Sequence, residues 1–189
     1  MHTIEPFFNW RHLYITSEDN LSPFYAYTNS EVNFTHAIYD HVIHPQWDDM
    51  GSPTLYLKIL FADYDDGYAI IELMGEWNDC INNDIMTLKR DVIESLMDRG
   101  IDKFILIGEN ILNFHASDDS YYSEWFDELE DGWVAVINFR EHVLTEMADM
   151  GVDYYFVMQG ELSELDWRTK SPTDLFTRIN GLVQQRLGA

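Results

Sequence analysis

The stretch "TLYLKILFADYDDGYAIIELMG", residues 54–75, decides the fold because two apolar runs flank a short polar turn. Apolar residues alternate in the first run, as in a strand with one buried face. The residues predicted on that face are Leu55, Leu57, Ile59 and Phe61. Between the runs, "DDG" has the composition of a hairpin turn, since glycine tolerates a positive φ. We therefore predict an antiparallel β-hairpin over 54–74, with Ala69, Ile71 and Leu73 on the same face of its second strand.

Downstream of the hairpin, helical and extended patterns alternate. Apolar residues recur every three or four positions over 81–99, which predicts an amphipathic helix with Asp79 or an asparagine at 82–83 as its cap. "FILI" (104–107) and "WVAVINF" predict strands covered on both faces. Further helices are expected within 119–130, in "EHVLTEMADMG" and over 173–187, and a last strand in "DYYFVM". This order predicts an α/β fold: a mixed sheet of about five strands, with an N-terminal antiparallel hairpin followed by parallel βαβ units.

The first 50 residues differ from the rest because they are rich in aromatic side chains and lack a clear period. We interpret 1–50 as an N-terminal extension that packs on the main domain. Within it, a short helix over 31–43 is expected, with Ser30 as its cap. Residues 51–189 are predicted to form a single α/β domain that includes the C-terminal helix 173–187.

The charge balance restricts the partners of the chain. Eleven Lys and Arg residues oppose 34 Asp and Glu residues, for a net charge of −23. Such a chain is repelled by the phosphate backbone of nucleic acids and by anionic membrane surfaces, so we expect neither as a partner. A basic protein is the expected partner, and a homodimer is left open.

The cysteine content and the absence of known catalytic motifs further restrict the possible functions of the chain. Cys80 is the only cysteine of the sequence, which excludes an intrachain disulfide and a thiolate metal cluster. The start of the chain has no secretory signal pattern, so a cytoplasmic location is expected. Phosphate-binding glycine loops, G-x-S-x-G and H-E-x-x-H do not occur in the sequence. We therefore expect no cofactor and favour a non-enzymatic function.

Residues 54–158 resemble a STAS domain, the fold of bacterial anti-sigma-factor antagonists and of the cytoplasmic tails of sulfate transporters. The resemblance rests on "GYAIIELMGEWND", on the closing "GWVAVINFREHVLTEMADMGVDYYF", and on "NFHASDD", which lies where the family has its Asp-Ser switch motif. It implies a STAS-like fold and a regulatory, protein-binding function, with Ser117 at the position of the phosphorylated serine. The family's preceding aspartate is replaced here by Ala116, and Asp118 and Asp119 follow the serine.

The candidate interaction or switch site consists of Ser117, Asp118, Asp119 and Ser120. The alternative is that one of these residues caps the helix that follows. Seven carboxylates and no basic residue lie between 118 and 131. We expect the segment 117–131 to form an acidic face that docks a basic partner, with negative charge already present without phosphorylation of Ser117.

A second hypothesis concerns a group of possible metal ligands in the extension. On a helix, His36 and Asp40 would share a face at i, i+4, and His41 and His44 would share one at i, i+3. Imidazoles with a carboxylate can hold zinc or a similar ion. The alternative function is thus a metal-binding protein or a hydrolytic enzyme that uses His36, His41 and His44.

Overall fold

The computed structural model describes residues 2–188 of the chain. The strands are β1 (His2–Ile4), β2 (Ala37–Ile38), β3 (His41–Ile43), β4 (Asp48–Asp49), β5 (Leu55–Asp63), β6 (Tyr68–Asn78), β7 (Lys103–His115), β8 (Trp133–Ile137) and β9 (Phe156–Val157). The α-helices are α1 (Asp84–Thr87), α2 (Glu94–Met97), α3 (Ser120–Glu128), α4 (Glu141–Asp149) and α5 (Pro172–Leu187). A π-helical segment, Leu88–Ile93, joins α1 to α2, and short 3₁₀ helices occur at Val152–Tyr154 and Gly160–Glu164.

The main sheet is mixed, with the strand order β4-β5-β6-β7-β8-β9. The first three strands pair antiparallel, and β6 to β9 pair parallel, so the predicted hairpin is followed by parallel units as expected. The α/β class and the mixed sheet are confirmed. The sheet has six strands where about five were predicted, because residues 48 and 49 of the extension pair with the outer edge of β5.

The predicted hairpin is confirmed, and its turn is held by one side chain. Asp63 Oδ1 accepts the backbone N–H groups of Asp65 and Asp66, each at 3.0 Å, and Gly67 supplies the positive φ of 69°. A bulge between Ile59 and Phe61 shifts the register of β5. Since one extra residue reverses the faces of a strand, Phe61 packs with the opposite core, contrary to the prediction.

The sheet separates two apolar cores. One core lies under α1 to α4 and includes Leu88, Trp125 and Val143. The other lies under α5, where Ile179 is fully buried. Aromatic residues of the first 50 contribute to both cores, Phe24 to the first and Trp10 to the second. The division into a 1–50 extension and a 51–189 domain stays a prediction.

The C-terminal helix forms as predicted. Ser171 Oγ accepts the backbone N–H of Asp174 at 3.1 Å, and Pro172 occupies the first helical position. Basic residues of the tail meet the body of the protein: Arg178 pairs with Glu161, and Arg186 donates to backbone carbonyls at 158 and 159. Among the described residues, no helix is both long and apolar enough to cross a membrane.

The helix predicted over 31–43 is wrong. Residues 37–43 form the hairpin β2–β3, which with β1 makes a separate three-stranded sheet. Ser30 Oγ does accept the N–H groups of Val32 and Asn33, as a cap would, but no helix follows. The hairpin turn depends on Tyr39, whose φ is 53°, a conformation that no glycine signals in the sequence.

Candidate functional site

Polar side chains collect at the carboxyl ends of β6 and β7. In the parallel register Glu76 pairs with Asn113, and Asn78 pairs with His115. Beyond the last pair, the backbone N–H of Asp79 donates to the carbonyl of His115 at 2.7 Å. Sites in open α/β sheets gather at the carboxyl ends of the strands. This edge is therefore the candidate site, and it leads directly into the loop that holds Ser117.

The extension reaches this edge through Tyr39. The Tyr39 hydroxyl donates to the Glu76 carboxylate and accepts from Asn113 Nδ2 at 3.3 Å. Asn78 Nδ2 donates to the same carboxylate at 2.7 Å. The bond from Tyr39 is the main reason why the pKa of Glu76 lies below its usual value. Glu76 is thereby held ionised at the edge of the site.

Asp79 connects three elements below the loop. Its carboxylate accepts the Tyr122 hydroxyl at 2.6 Å, the Ile85 N–H at 2.8 Å and the Trp77 indole N–H at 3.0 Å. Burial raises the pKa of Asp79 to about 6, although these three donors oppose the shift. The sequence pointed to Asp79 only as a helix cap, and its contact with α3 was missed because Tyr122 lies 43 residues away.

The four predicted site residues lie together at the start of α3, with Ser120 as the first residue of the helix. Asp118 Oδ1 accepts the backbone N–H of Ser120 at 3.1 Å and its hydroxyl at 2.5 Å. Asp119 is the N-terminal cap residue without a side-chain cap bond, and its Oδ2 accepts the Tyr155 hydroxyl at 2.7 Å. Asp118 therefore makes the cap-type bond, and Ser117 remains exposed beside it.

A pocket of about 290 Å³ opens between this loop and the start of α1. Its lining includes Asp79, Cys80, Ser117, Asp118 and Tyr121. Hydrogen bonds from the Ser120 hydroxyl and N–H lower the pKa of Asp118. The pocket thus presents an ionised carboxylate and an exposed hydroxyl, which suit the recognition of hydrogen-bond donors and cations.

The acidic face is partly neutralised from within the protein. Lys89, whose side chain is fully buried, donates to Glu94 at 2.9 Å, to Glu124 at 3.1 Å and to Glu128 at 2.7 Å. Arg90 also pairs with Glu124, at 2.6 Å. The ammonium of Lys89 occupies the centre of the three carboxylates. The run 118–131 contains no basic residue, but Lys89 and Arg90 of the π-helical segment pair with two of its carboxylates, Glu124 and Glu128. Fewer carboxylates of this run are therefore unpaired than expected.

The rest of this face is both acidic and aromatic. Asp127, Glu130 and Asp131 are exposed, and no Lys, Arg or His among residues 2–188 lies within 4.0 Å of their carboxylates. Phe126 is 46% exposed, and its ring meets that of Tyr155 at a centroid distance of 6.0 Å. We call Phe126, Asp127, Glu130 and Asp131 the α3 face.

The metal-binding hypothesis assumed that its ligands lie on a helix over 31–43, and this helix does not form. His36 precedes β2, Asp40 lies in the turn between β2 and β3, and the two do not share a helix face. His41 pairs with Asp40 at 3.0 Å, while His44 lies 3.9 Å from Glu5. Within residues 2–188, the only three ligand atoms of His, Cys, Asp or Glu that lie within 4.8 Å of one another belong to Glu94, Glu124 and Glu128. The four proposed ligands do not converge on one ion.

A buried carboxylate that lies on β6 was also not predicted from the sequence. Glu72 is 1% exposed, and its Oε2 accepts the backbone N–H of Phe7 at 2.8 Å. Asn110 Nδ2 donates to the other oxygen at 3.3 Å. Nearby, Glu109 accepts the Trp167 indole N–H at 2.7 Å and pairs with Arg168. The only indication of this buried carboxylate in the sequence is that Glu72 is a single acidic residue inside the apolar run "YAIIELM".

No family model and no curated protein matches the chain. Among solved structures, it is similar to the anti-sigma factor antagonist SpoIIAA in its unphosphorylated form: identity is 13%, the TM-score is 0.47, and the match covers 66% of this chain and 96% of that chain. It is also similar to the Bacillus cell fate determinant SpoIIAA in the phosphorylated form, at 12% identity and a TM-score of 0.42, over 65% of this chain and 98% of that chain. These likenesses concern the fold alone.

Proposed function

We propose that this chain is a regulatory protein-interaction module, without catalysis of its own, which binds a basic protein through the α3 face. The observation that carries the proposal is the exposure of Phe126 in the same segment as three exposed carboxylates that have no cationic partner within the described chain. Aromatic side chains are enriched among the residues that dominate binding energy at protein interfaces. Exposed charges of one sign steer a partner of the opposite sign.

The charge of the whole chain supports a basic partner. At a net charge of −23, long-range attraction favours basic proteins over acidic ones. Because the α3 face is exposed, its charges are screened beyond a Debye length of about 8 Å at physiological salt. Association should therefore weaken steeply as salt is added. A cytoplasmic location and a possible homodimer stay predictions.

In this proposal Ser117 is not a phosphorylated switch, and it contributes little to the binding of the partner. Asp118 is exposed beside it and already carries negative charge at the start of α3, where the helix dipole favours it. A phosphate would add a charge of roughly −1.5 to −2 next to this carboxylate. Mass spectrometry of the protein from its native host should show Ser117 unmodified, and substantial phosphate at Ser117 would contradict this part of the proposal.

The proposal is tested by affinity capture from a lysate of the native host. A variant with Asp127→Asn, Glu130→Gln and Asp131→Asn removes the charge of the α3 face. A control with Glu18→Gln, Asp65→Asn and Asp66→Asn removes three exposed acids elsewhere, so both variants have the same net charge. We expect a basic protein that is retained by the wild type and the control and lost by the α3 variant. Full retention by both variants would show that this face is not the binding surface, and an equal loss in both would show that net charge, and not this face, is responsible.

A further inference from the structure

A second cavity lies between the extension and the strand β5, and none of its lining residues belongs to the α3 face. Its volume is about 250 Å³, which is slightly below the roughly 300–1,000 Å³ of pockets for drug-sized ligands. Aromatic rings form part of its wall: Phe7, Trp10 and Tyr14 line it, and the Phe7 and Trp10 rings meet edge to face at 5.1 Å. The cavity therefore offers an apolar wall to a small molecule.

The same cavity is lined by charges of both signs. Arg11 and Lys58 supply two cations, and Glu5 and Glu31 supply two carboxylates. Among the described residues, neither Arg11 nor Glu31 has an ion-pair partner within 4.0 Å. A ligand with a single charge would meet repulsion from one of the two pairs. A ligand that carries both charges can be complementary to all four side chains.

One of the cations is fixed by a buried carboxylate. Lys58 Nζ lies 3.1 Å from Asp48 Oδ1, which also accepts Asn29 Nδ2 at 2.7 Å. Asp48 is 1% exposed, and its Oδ2 has no hydrogen-bond partner within the described chain. Such an incompletely satisfied buried carboxylate is costly for a protein to keep. The contact with Asp48 fixes the ammonium of Lys58, which lines the cavity.

We propose that this cavity binds a small zwitterion of the amino-acid class, with its carboxylate at Lys58 and Arg11 and its ammonium at Glu5 and Glu31. The apolar part of the ligand packs against Trp10 and its aromatic neighbours. This site is independent of the α3 face, because the two surfaces share no residue. Small-molecule binding is thus a second function of the chain, beside the proposed interaction with a protein.

The test uses three probes of the same shape that differ in charge. The full chain is titrated with L-phenylalanine, with 3-phenylpropanoate, which lacks the ammonium, and with phenethylamine, which lacks the carboxylate. Binding is followed by calorimetry and by the rise in melting temperature that a ligand of the folded state must cause. We expect L-phenylalanine to bind about tenfold or more tightly than either truncated probe, because each of these loses one pair of charge contacts. Absence of binding by L-phenylalanine, or equal binding by a truncated probe, would overturn the proposal.

Variants assign the binding to this cavity. Arg11→Gln and Glu31→Gln change exposed residues, so both should fold as the wild type does. Each substitution should weaken the binding of L-phenylalanine by about tenfold. The affinity for L-phenylalanine should then be closer to the affinity for the truncated probe that lacks the group contacted by the substituted residue. Phe126→Ala lies on the α3 face and serves as the control, with unchanged affinity. Unchanged binding in both cavity variants would contradict the assigned contacts.

Discussion

The hydroxyl of Tyr122 donates a hydrogen bond of 2.6 Å to the carboxylate of Asp79. This contact joins the first turn of α3 to the end of β6, directly below the loop that contains Ser117. The same carboxylate also accepts the N–H of Ile85 at the start of α1. One half-buried acid therefore fixes the relative positions of three elements that surround the candidate site.

Removal of the Tyr122 hydroxyl should destabilise the protein without creating a cavity in the core. In Tyr122→Phe the ring remains, but Asp79 loses one of its three donors. A buried acceptor that loses a partner costs about 1–3 kcal/mol. We expect a loss of this size in the free energy of unfolding measured with urea. Tyr121→Phe on the half-buried neighbour is the matched control, and an equal loss in both variants would contradict the role of the Asp79 contact.

Glu72 should make stability depend on pH. Burial raises its pKa from 4.5 to about 7, so the folded state holds this proton more tightly than the unfolded state. Its stabilising contribution is fully present below pH 4.5 and is lost as the pH rises through about 7. At 1.36 kcal/mol per unit of pKa, the loss is about 3 kcal/mol.

Glu72→Gln should abolish this component, because glutamine does not titrate. We expect the difference in unfolding free energy between wild type and Glu72→Gln to change by about 3 kcal/mol between pH 4 and 8, to the disadvantage of the wild type at high pH. The exposed Glu130→Gln should show no such trend. A constant difference across this range would mean that Glu72 has an ordinary pKa in the folded protein.

Lys89 should be needed for the packing of α3 on the π-helical segment. Lys89→Met keeps the length of the side chain but leaves Glu94, Glu124 and Glu128 without the shared ammonium. Loss of hydrogen bonds between charged groups that are partly exposed should cost about 2 kcal/mol in unfolding free energy. Lys103→Met removes the half-exposed pair with Asp102 and should cost less than about 1 kcal/mol. A reversed order of the two variants would contradict the importance of the Lys89 cluster.

The sequence predicts well those elements whose signals are local. The hairpin follows from the alternation of β5 and from the "DDG" turn, and α5 follows from Ser171 and Pro172 at its start. Elements that depend on distant partners were predicted poorly. The strand β7 extends to His115 although only 104–107 appeared extended, because its polar residues Glu109 and Asn110 are paired with groups far away in the sequence.

Prediction of the site is limited in the same way, because several of its contacts join residues that are far apart in the sequence. Ser117 to Ser120 were recognised because they come between a strand and a helix, and the structure places 117–119 in that turn and Ser120 at the first position of α3. The partner of Glu124 and Glu128 was missed because Lys89 lies 35 and 39 residues upstream, on a helix whose apolar stripe gave no sign of a buried cation. Similarly, the Ser30 turn imitated a helix start, since its local hydrogen bonds are the same with or without a helix.

Purified protein should contain no stoichiometric metal. The four residues of the metal hypothesis do not converge, and the ammonium of Lys89 occupies the three-carboxylate group. Elemental analysis should therefore show the same low zinc content in wild type and in a His41→Ala, His44→Ala double variant. About one zinc per chain in the wild type, absent from the double variant, would restore the metal-binding function.

The affinity of the captured basic partner for surface variants tests the central claim most directly. Calorimetry with purified partner at low and at physiological salt should give nearly equal dissociation constants for the wild type and Ser117→Ala. For Phe126→Ala, and for Asp127→Asn combined with Glu130→Gln and Asp131→Asn, the dissociation constant should rise by about tenfold or more, with a weaker salt dependence in the charge variant. A partner that binds these variants as tightly as the wild type, or that loses its affinity in Ser117→Ala, would contradict the assignment of the α3 face as the binding surface.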